Sequence, residues 1–139
     1  MSVVERKIPS GTKHIHFRFH NNKEFGMLNL CCWKDEINKI TDYNKKVIAN
    51  KKIKIHIPIF DNFYKKTYTS QNGFTFYQLV DRIIKASLQA GKYDTQNHPK
   101  HYSGPATEYD FIGEYAITSS SKSSDIQKKG NNIYISFQH

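Results

Sequence analysis

The sequence predicts an α+β fold: a two-layer domain in which an antiparallel or mixed sheet of five to six strands carries one or two helices on one face. Three observations predict this class. Several segments alternate apolar and polar residues, one long segment has helical spacing, and large side chains are plentiful. Of the 139 residues, 37% are hydrophobic and 14% aromatic. This length is close to the commonest domain size, so residues 1–139 are predicted to form a single domain.

The first alternating segment is Thr12–His20. Its apolar side chains Ile15, Phe17 and Phe19 share one face, which is typical of a strand with one buried side. After an Asn-Asn turn, Phe25–Trp33 reads as a second and more apolar strand. The two segments are predicted to pair as an antiparallel hairpin.

The middle of the chain predicts a helix followed by a second strand pair. Apolar residues between Trp33 and Ile48 fit a helical stripe. Alternation returns over Lys52–Phe60, where Pro58 predicts an unpaired edge or the end of the strand, because proline cannot donate to a ladder. Residues 63–70 are predicted to pair back on this strand.

The most complete set of local signals predicts a helix over Phe76–Ala90. Its apolar residues recur at spacings of three and four, which places them in one stripe. Thr75 and Gln78 match a capping box at the amino end. Gly91 is predicted to supply a left-handed stop at the carboxyl end.

The remainder of the chain predicts a long loop and two closing strands. The loop is Lys92–Thr107, which has two prolines and no periodicity, and its unusual length makes it a candidate functional loop. The closing strands are predicted at Tyr109–Thr118 and Asn132–Phe137. The polar segment Ser119–Gly130 between them is predicted to be a loop tip.

Positive charge is concentrated in the first half of the chain. The formal net charge is +9, and residues 1–60 contribute twelve Lys/Arg less five Asp/Glu, or +7. Five lysines fall within ten residues that contain no acid, and they predict a positive surface able to hold phosphates. These lysines are Lys45, Lys46, Lys51, Lys52 and Lys54.

Aromatic residues near the lysines are predicted to supply stacking surfaces for bases. They are Tyr43, Phe60, Phe63, Tyr64 and Tyr68. Arginine, whose planar fork suits base-specific contacts, is scarce: the chain has three arginines and eighteen lysines. The alternatives for the lysine cluster are a solvated basic face, sequence-independent binding of nucleic acid or another polyanion, and contact with an acidic protein surface.

A second candidate site consists of histidines. His14 and His16 lie on one side of the first predicted strand, as strand-borne metal sites require, and Glu24 or His56 would be a third ligand. The alternatives are solvent-facing histidines and contacts to an anion or nucleic acid. A third candidate lies in the long loop, where His98, His101 and Tyr102 precede two carboxylates that are suited to acid–base work. A solvated loop is the alternative there.

The cysteine pattern and hydropathy bear on the compartment. Cys31 and Cys32 are adjacent, which disfavours a disulfide between them. They are predicted to be reduced thiols on a buried strand, in agreement with a reducing compartment. No apolar segment has the length of a membrane span, and no secretory signal is recognisable. The sequence therefore predicts a cytoplasmic or nuclear protein, or one inside a particle, that is not secreted.

One resemblance adds to this reading. A composition rich in Lys, Asn and Ile, with GFTFYQLVDRII (Gly73–Ile84) leading after a loop to DFIGEYAI (Asp110–Ile117), resembles small uncharacterised proteins of nucleocytoplasmic large DNA viruses. The resemblance implies a virion component or an interaction protein made during infection. It carries over no functional residue.

Together these patterns predict a non-enzymatic binding or structural module without a cofactor. Its basic half would contact an acidic protein, a polyanion such as non-specifically bound nucleic acid, or a particle surface. Assembly into a homo-oligomer or particle is a further alternative. The rival prediction is a small enzyme. It would be a metal-assisted hydrolase using His14, His16 and His56, or an acid–base catalyst using His98 and His101.

Overall fold

A five-stranded mixed sheet and a long helix packed on one of its faces form the two layers of the protein. The computed structural model describes residues 8–21, 25–59, 62–101, 112–113 and 115–138. Its helices are α1 (Trp33–Glu36) and α2 (Phe76–Asn97), with 3₁₀ turns at Leu30–Cys32, Ile37–Lys39 and Pro99–His101. Its strands are β1 (Lys13–His14), β2 (Phe25–Asn29), β3 (Lys46–Ile48), β4 (Lys52–Ile59), β5 (Asn62–Thr69), β6 (Phe74–Thr75), β7 (Ala116–Ser120), β8 (Ile126–Lys129) and β9 (Asn132–Ile135).

The main sheet has the strand order β1-β8-β9-β4-β5. All its neighbours are antiparallel except β4 and β9, which are parallel. Two small antiparallel ladders, β2 with β7 and β3 with β6, complete the described strands. The predicted α+β class, with a mixed sheet of five strands, is confirmed.

The core lies between the main sheet and α2. Ile53, Ile55 and Ile57 alternate along β4 and point towards α2, where they are at most 2% exposed. The opposing stripe of α2, which includes Leu79 and Ile83, is fully buried. Each such side chain contributes roughly 1.5–3 kcal/mol through the hydrophobic effect. The face of β4 that turns away from α2 is therefore left for polar residues.

The predicted start of α2 is confirmed, but its predicted end is wrong. Thr75 Oγ1 accepts from Gln78 N at 3.1 Å, and Gln78 Oε1 accepts from Thr75 N at 2.9 Å. At the other end Gly91 is buried and helical, and the helix continues to Asn97. A helical glycine costs about 1 kcal/mol relative to alanine, which the packing of this buried turn offsets. Pro99 supplies the stop, because the residue before a proline avoids helical geometry.

The extension of α2 changes the predicted loop. Residues 92–97 are helical, and Pro99–His101 form a 3₁₀ turn instead of the irregular loop expected from residue 92 onwards. The rest of the predicted loop, residues 102–107, lies outside the described residues.

The segment Thr12–His20 has the predicted alternation but not the predicted partner. Phe17 is buried while His14 and His16 are exposed, and yet only Lys13–His14 form a strand, paired with β8. Further along, Phe17 N donates to Ser119 Oγ at 3.1 Å, and Phe19 forms an isolated bridge with Ile40. Because the segment changes partners along its length, no continuous ladder forms.

The predicted hairpin between this segment and Phe25–Trp33 is wrong. β2 pairs with β7 and ends at Asn29, where the chain turns into the Leu30–Cys32 turn and α1. Cys31 and Cys32 therefore lie on a 3₁₀ turn and not on a buried strand. Both are free cysteines; Cys31 is exposed and Cys32 is half-buried.

Two other predicted elements are partly right. The helix expected over residues 33–48 covers only α1 and the turn after it, because Asp42 adopts a left-handed φ of 60° and the chain then enters β3. The segment Ser119–Gly130, expected to be a loop tip, contains β8, whose Ile126 is fully buried. One apolar residue in a polar segment gives too weak a periodicity to indicate a strand.

A turn before α2 requires glycine. Gly73 has a φ of +77°, and a Cβ there would overlap the carbonyl oxygen of Ile48 on β3. The β3–β6 ladder and the start of α2 thus meet at a position with no room for a side chain. Gly130, in the turn between β8 and β9, has a φ of +61° but nothing within 4 Å of such a Cβ.

We expect Gly73→Ala to lower the free energy of unfolding by about 3 kcal/mol or more, because backbone strain and the overlap with Ile48 act together. Gly130→Ala, the matched control, carries only the left-handed strain and should cost about 1–2 kcal/mol. Urea denaturation of both variants measures the difference. Equal losses would contradict the close approach of Gly73 to β3.

Candidate functional site

The face of the main sheet that points away from α2, called here the outer face, carries the candidate site. Residues directly opposite one another on neighbouring strands share a face. The first row across the sheet is therefore His14, Gln127, Tyr134, His56 and Lys65. The second row is Lys129, Asn132, Lys54 and Thr67. Lys52 with Thr69, and Pro58 with Phe63, extend the face along β4 and β5.

Three rings form a cluster at the centre of the outer face. His56 and Tyr134 stack with ring centroids 4.3 Å apart and planes inclined by 24°. Phe63 meets both rings edge-on, at 5.9 Å from His56 and 6.0 Å from Tyr134. His56 is buried beneath this contact, while Tyr134 and Phe63 remain partly accessible. The cluster thus presents aromatic surface to the outer face.

The surroundings of His56 favour its neutral form. Its Nε2 lies 3.1 Å from Asn132 Oδ1, to which it donates in the corresponding tautomer. Burial lowers the pKa of His56 below its usual value, and the charges of Lys65 and Lys54 lower it further, against the effect of the Asn132 hydrogen bond. A neutral, buried ring of this kind supports the aromatic cluster and adds no charge to it.

Exposed lysines surround the cluster. Lys52 and Lys54 lie on β4, Lys65 on β5 and Lys129 on β8, and all four are exposed. No acidic residue occurs among the described residues of the rows that make up the outer face. The result is a positive field around an aromatic centre, an arrangement that attracts polyanions.

The structure divides the lysine cluster predicted from the sequence. Lys52 and Lys54 belong to the outer face, and Lys51 precedes them in a bend. Lys45 lies in the turn that follows Asp42, and Lys46 is the first residue of β3. Both line a separate pocket. Lys45 Nζ is 3.4 Å from the Asp42 carboxylate.

The outer face gains two lysines that the sequence reading missed, Lys65 and Lys129. Lys65 is brought beside β4 by the hairpin of β4 and β5, whereas Lys129 lies far along the chain and is brought beside β9, the other neighbour of β4, by strand pairing. The alternation of polar and apolar residues within β5 and β8 is the one sequence signal that could have pointed to these two lysines. This alternation assigns them to the outer face only when the strand order is known.

The predicted stacking residues are also divided. Of these, Phe63 lies on the outer face, whereas Tyr64 and Tyr68 point towards α2. There Tyr64 contacts Tyr93 at 5.6 Å, and Tyr68 lies under the Arg82 guanidinium at 5.9 Å. Tyr43 is half-buried, and Phe60 lies outside the described residues. Tyr134, which the sequence reading did not single out, is the main outer-face ring.

Of the predicted metal ligands, the structure does not bring His56 to His14 and His16. His14 and His16 are neighbours, with ring centroids 5.9 Å apart, but His56 is three strands from His14, or about 14 Å. His14 Nδ1 accepts from Ser124 N at 2.9 Å, which occupies one of its nitrogens. Within the described residues no group of three His, Cys, Asp or Glu side chains could hold a metal ion. Glu24 lies outside them.

The described residues include only part of the predicted acid–base set. His98 is exposed at the end of α2, and His101 closes the 3₁₀ turn after it. Tyr102 and the two carboxylates Glu108 and Asp110 lie outside the described residues. Their convergence stays a prediction.

Comparisons of the chain with protein-family models, with curated proteins and with solved structures find no match. Within the described part of the chain, no helix combines the length and apolarity needed to cross a membrane. The function is therefore inferred from the geometry and charge of the described residues.

We expect the free energy of unfolding to fall as pH decreases below about 6.5, where an ordinary histidine takes up a proton. The unfolded chain then binds a proton that folded, neutral His56 does not bind, so acid favours unfolding until His56 itself titrates. Urea denaturation at several pH values between 5 and 8 measures the slope. His56→Gln should make the slope shallower. An identical slope in wild type and His56→Gln would contradict this account.

Proposed function

We propose that the protein is a non-enzymatic binding module whose outer face holds a polyanion, and that single-stranded nucleic acid is the polyanion this face fits best. The observation that carries the proposal is the combination of four exposed lysines with a partly accessible aromatic cluster, in rows without a described acid.

The charges support binding of a polyanion in general. Lys52 and Lys54 follow each other on one side of β4 and are therefore about 7 Å apart along the strand. Lys65 and Lys129 lie on either side of them across the sheet. Such a spread of point charges follows a chain of phosphates and releases its counterions, which makes binding depend on salt.

The rings favour nucleic acid over an acidic protein surface. A base can stack on Tyr134 or Phe63, and each stacked base contributes roughly 1–3 kcal/mol in proteins that bind single strands. A carboxylate-rich protein surface gains nothing comparable from an aromatic centre. Bases in a duplex are already stacked on one another, so an unpaired strand is the better fit.

The lysines also bear on specificity. Lysine is a flexible point charge, whereas reading of base edges favours the planar fork of arginine. The described residues of the outer face include no arginine. The proposed binding is therefore independent of the nucleotide sequence. The protein can bind at any position along the strand.

We expect a fluorescein-labelled oligothymidylate to bind with an affinity that falls steeply as salt increases. For the double variant Lys54→Gln/Lys65→Gln, the slope of log K against log[salt] should become shallower by about 1.4, because each single-strand phosphate contact contributes about 0.7. Lys85→Gln/Lys92→Gln is the control, since it removes the same charge from exposed positions on α2, on the other side of the sheet. Fluorescence anisotropy measures both. Equal slopes for the two variants would show that the outer face is not the contact surface.

We expect Tyr134→Ala to weaken binding of the same oligonucleotide by about 5- to 100-fold, since a stacking surface is lost without any change in charge. Binding of heparin, a polyanion without bases, should change little. Tyr93→Ala removes an exposed ring from α2 and serves as the control. Equal losses for oligonucleotide and heparin, or tighter binding of polyglutamate than of either, would favour a base-independent contact such as an acidic protein surface.

A further inference from the structure

A pocket of about 440 Å³ lies where the chain continues from β1, outside the rows of the outer face. Its walls come from residues 16–18, from the turn and strand over residues 41–47, from Phe76 at the start of α2, and from the two serines at 120 and 121. Segments far apart in sequence thus converge on one concave site. Its volume is within the range of small-molecule pockets, about 300–1,000 Å³.

The polar lining includes three cationic side chains and one histidine. His16, Arg18, Lys45 and Lys46 line the pocket, and among its described lining residues Asp42 is the single acid. Asp42 is paired with Lys45, and among the described residues no salt bridge to an acid is formed by Arg18 or Lys46. Arg18 is one of three arginines in the chain, and its guanidinium is suited to bidentate contact with a phosphate.

Backbone hydrogen bonds hold these walls in place. Thr41 N donates to Arg18 O at 2.9 Å and joins the first wall to the turn. Phe76 N donates to Lys45 O at 3.1 Å, and Tyr77 N to Tyr43 O at 2.8 Å, which joins the turn to α2. The first amides of α2 are therefore occupied. An anion in the pocket would be bound by the side chains, on a backbone that is already ordered.

One hydrogen bond also orients His16. Ser119 Oγ accepts from Phe17 N, so its own proton is available for His16 Nδ1 at 3.4 Å. This arrangement favours the tautomer of neutral His16 that carries its hydrogen on Nε2. His16 then offers an N–H donor to an anion in the pocket even when it is uncharged.

The pocket has an apolar part as well. Val47 is its exposed apolar side chain, whereas the rings of Phe17 and Phe76, which pack at a centroid distance of 5.1 Å, are only 7% and 2% exposed. A phosphate ion alone would leave this surface unused. A ligand with an apolar group attached to a phosphate would use both parts.

We propose that this pocket binds a small organic phosphate monoester. Arg18, Lys46 and His16 hold the phosphate, and the organic group lies against Val47 and the accessible edge of Phe17. None of these residues belongs to the rows of the outer face, so the inference stands apart from the proposed function. The two sites differ in ligand: the pocket takes a small monoester, while the outer face takes a chain of phosphodiesters.

Titration of the full chain with phenyl phosphate, followed by isothermal calorimetry and by amide NMR shifts, tests the proposal. We expect saturable binding with shifts at Arg18, Lys46 and Val47. Inorganic phosphate and phenol should each bind at least tenfold more weakly, because each satisfies only one part of the pocket. Equal affinities for phenyl phosphate and inorganic phosphate, or the absence of saturation, would overturn the proposal.

Two further variants test the proposal, one that removes positive charge from the pocket and one that removes negative charge. Arg18→Gln/Lys46→Gln should weaken phenyl phosphate binding at least tenfold. Asp42→Asn should strengthen it about two- to fivefold, because it removes the one negative charge among the described lining residues, and asparagine tolerates the left-handed φ of this position. Weaker binding by Asp42→Asn, or no effect of the double variant, would show that these side chains do not hold the phosphate.

The outer-face double variant Lys54→Gln/Lys65→Gln separates the two proposals. It should bind phenyl phosphate as the wild type does, while Arg18→Gln/Lys46→Gln should bind oligothymidylate as the wild type does. If the pocket variant lost both ligands, the pocket would be part of the nucleic-acid surface and the inference of a separate monoester site would fail. If the protein bound phenyl phosphate but no oligonucleotide, the pocket proposal would stand and the proposed function would fall.

Discussion

The pairing of β4 on both of its edges is the constraint on which the rest of the structure depends. β5 pairs along its whole length on one side, and β9 pairs in parallel over Lys54–His56 on the other. Because side chains alternate along a strand, this position sends the isoleucines of β4 to α2 and sends Lys52, Lys54 and His56 to the outer face. One strand thus supplies the centre of the core and the centre of the candidate binding surface. A shift of one residue in its register would exchange the two.

The same pairing explains how the described rows of the outer face combine several lysines with no acidic residue. Lys65 and Lys129 reach the outer face through their registers with β4 and β9, and acidic residues are placed elsewhere. Asp81, for example, lies on α2 and pairs there with Arg82 and Lys85. Lys45 and Lys46, before and on β3, line the separate pocket, whereas Lys52 and Lys54 on β4 belong to the outer face. A single run of lysines in the sequence consequently serves two surfaces.

Local signals were sufficient where an element depends on its own residues. Thr75 and Gln78 cap α2 as their spacing indicated, and the isoleucines of β4 are buried as their alternation indicated. Local signals failed where contacts between segments distant in the sequence determine the structure. Gly91 stays helical because its turn is buried, and β2 pairs with β7 instead of the nearer segment. The candidate site was predictable only as a charged stretch, because the meeting of His56, Tyr134 and Phe63 depends on strand order, which no local pattern contains.

The parallel contact between β4 and β9 has a consequence for how the protein is made. Lys54 and Asn132 are neighbours in the sheet although 78 positions (132 less 54) separate them in the chain. Contacts of such long range form late, because the intervening loop must be closed first. During synthesis, residues 52–69 can pair as a hairpin while the site beside β4 is still vacant. The edge of β4 therefore stays open, with unpaired amides, until residues 126–135 have emerged.

In that interval the nascent chain is exposed to strand addition by other molecules. Charged residues such as Lys54, which lies in the segment that later pairs with β9, are of the kind that reduces such association.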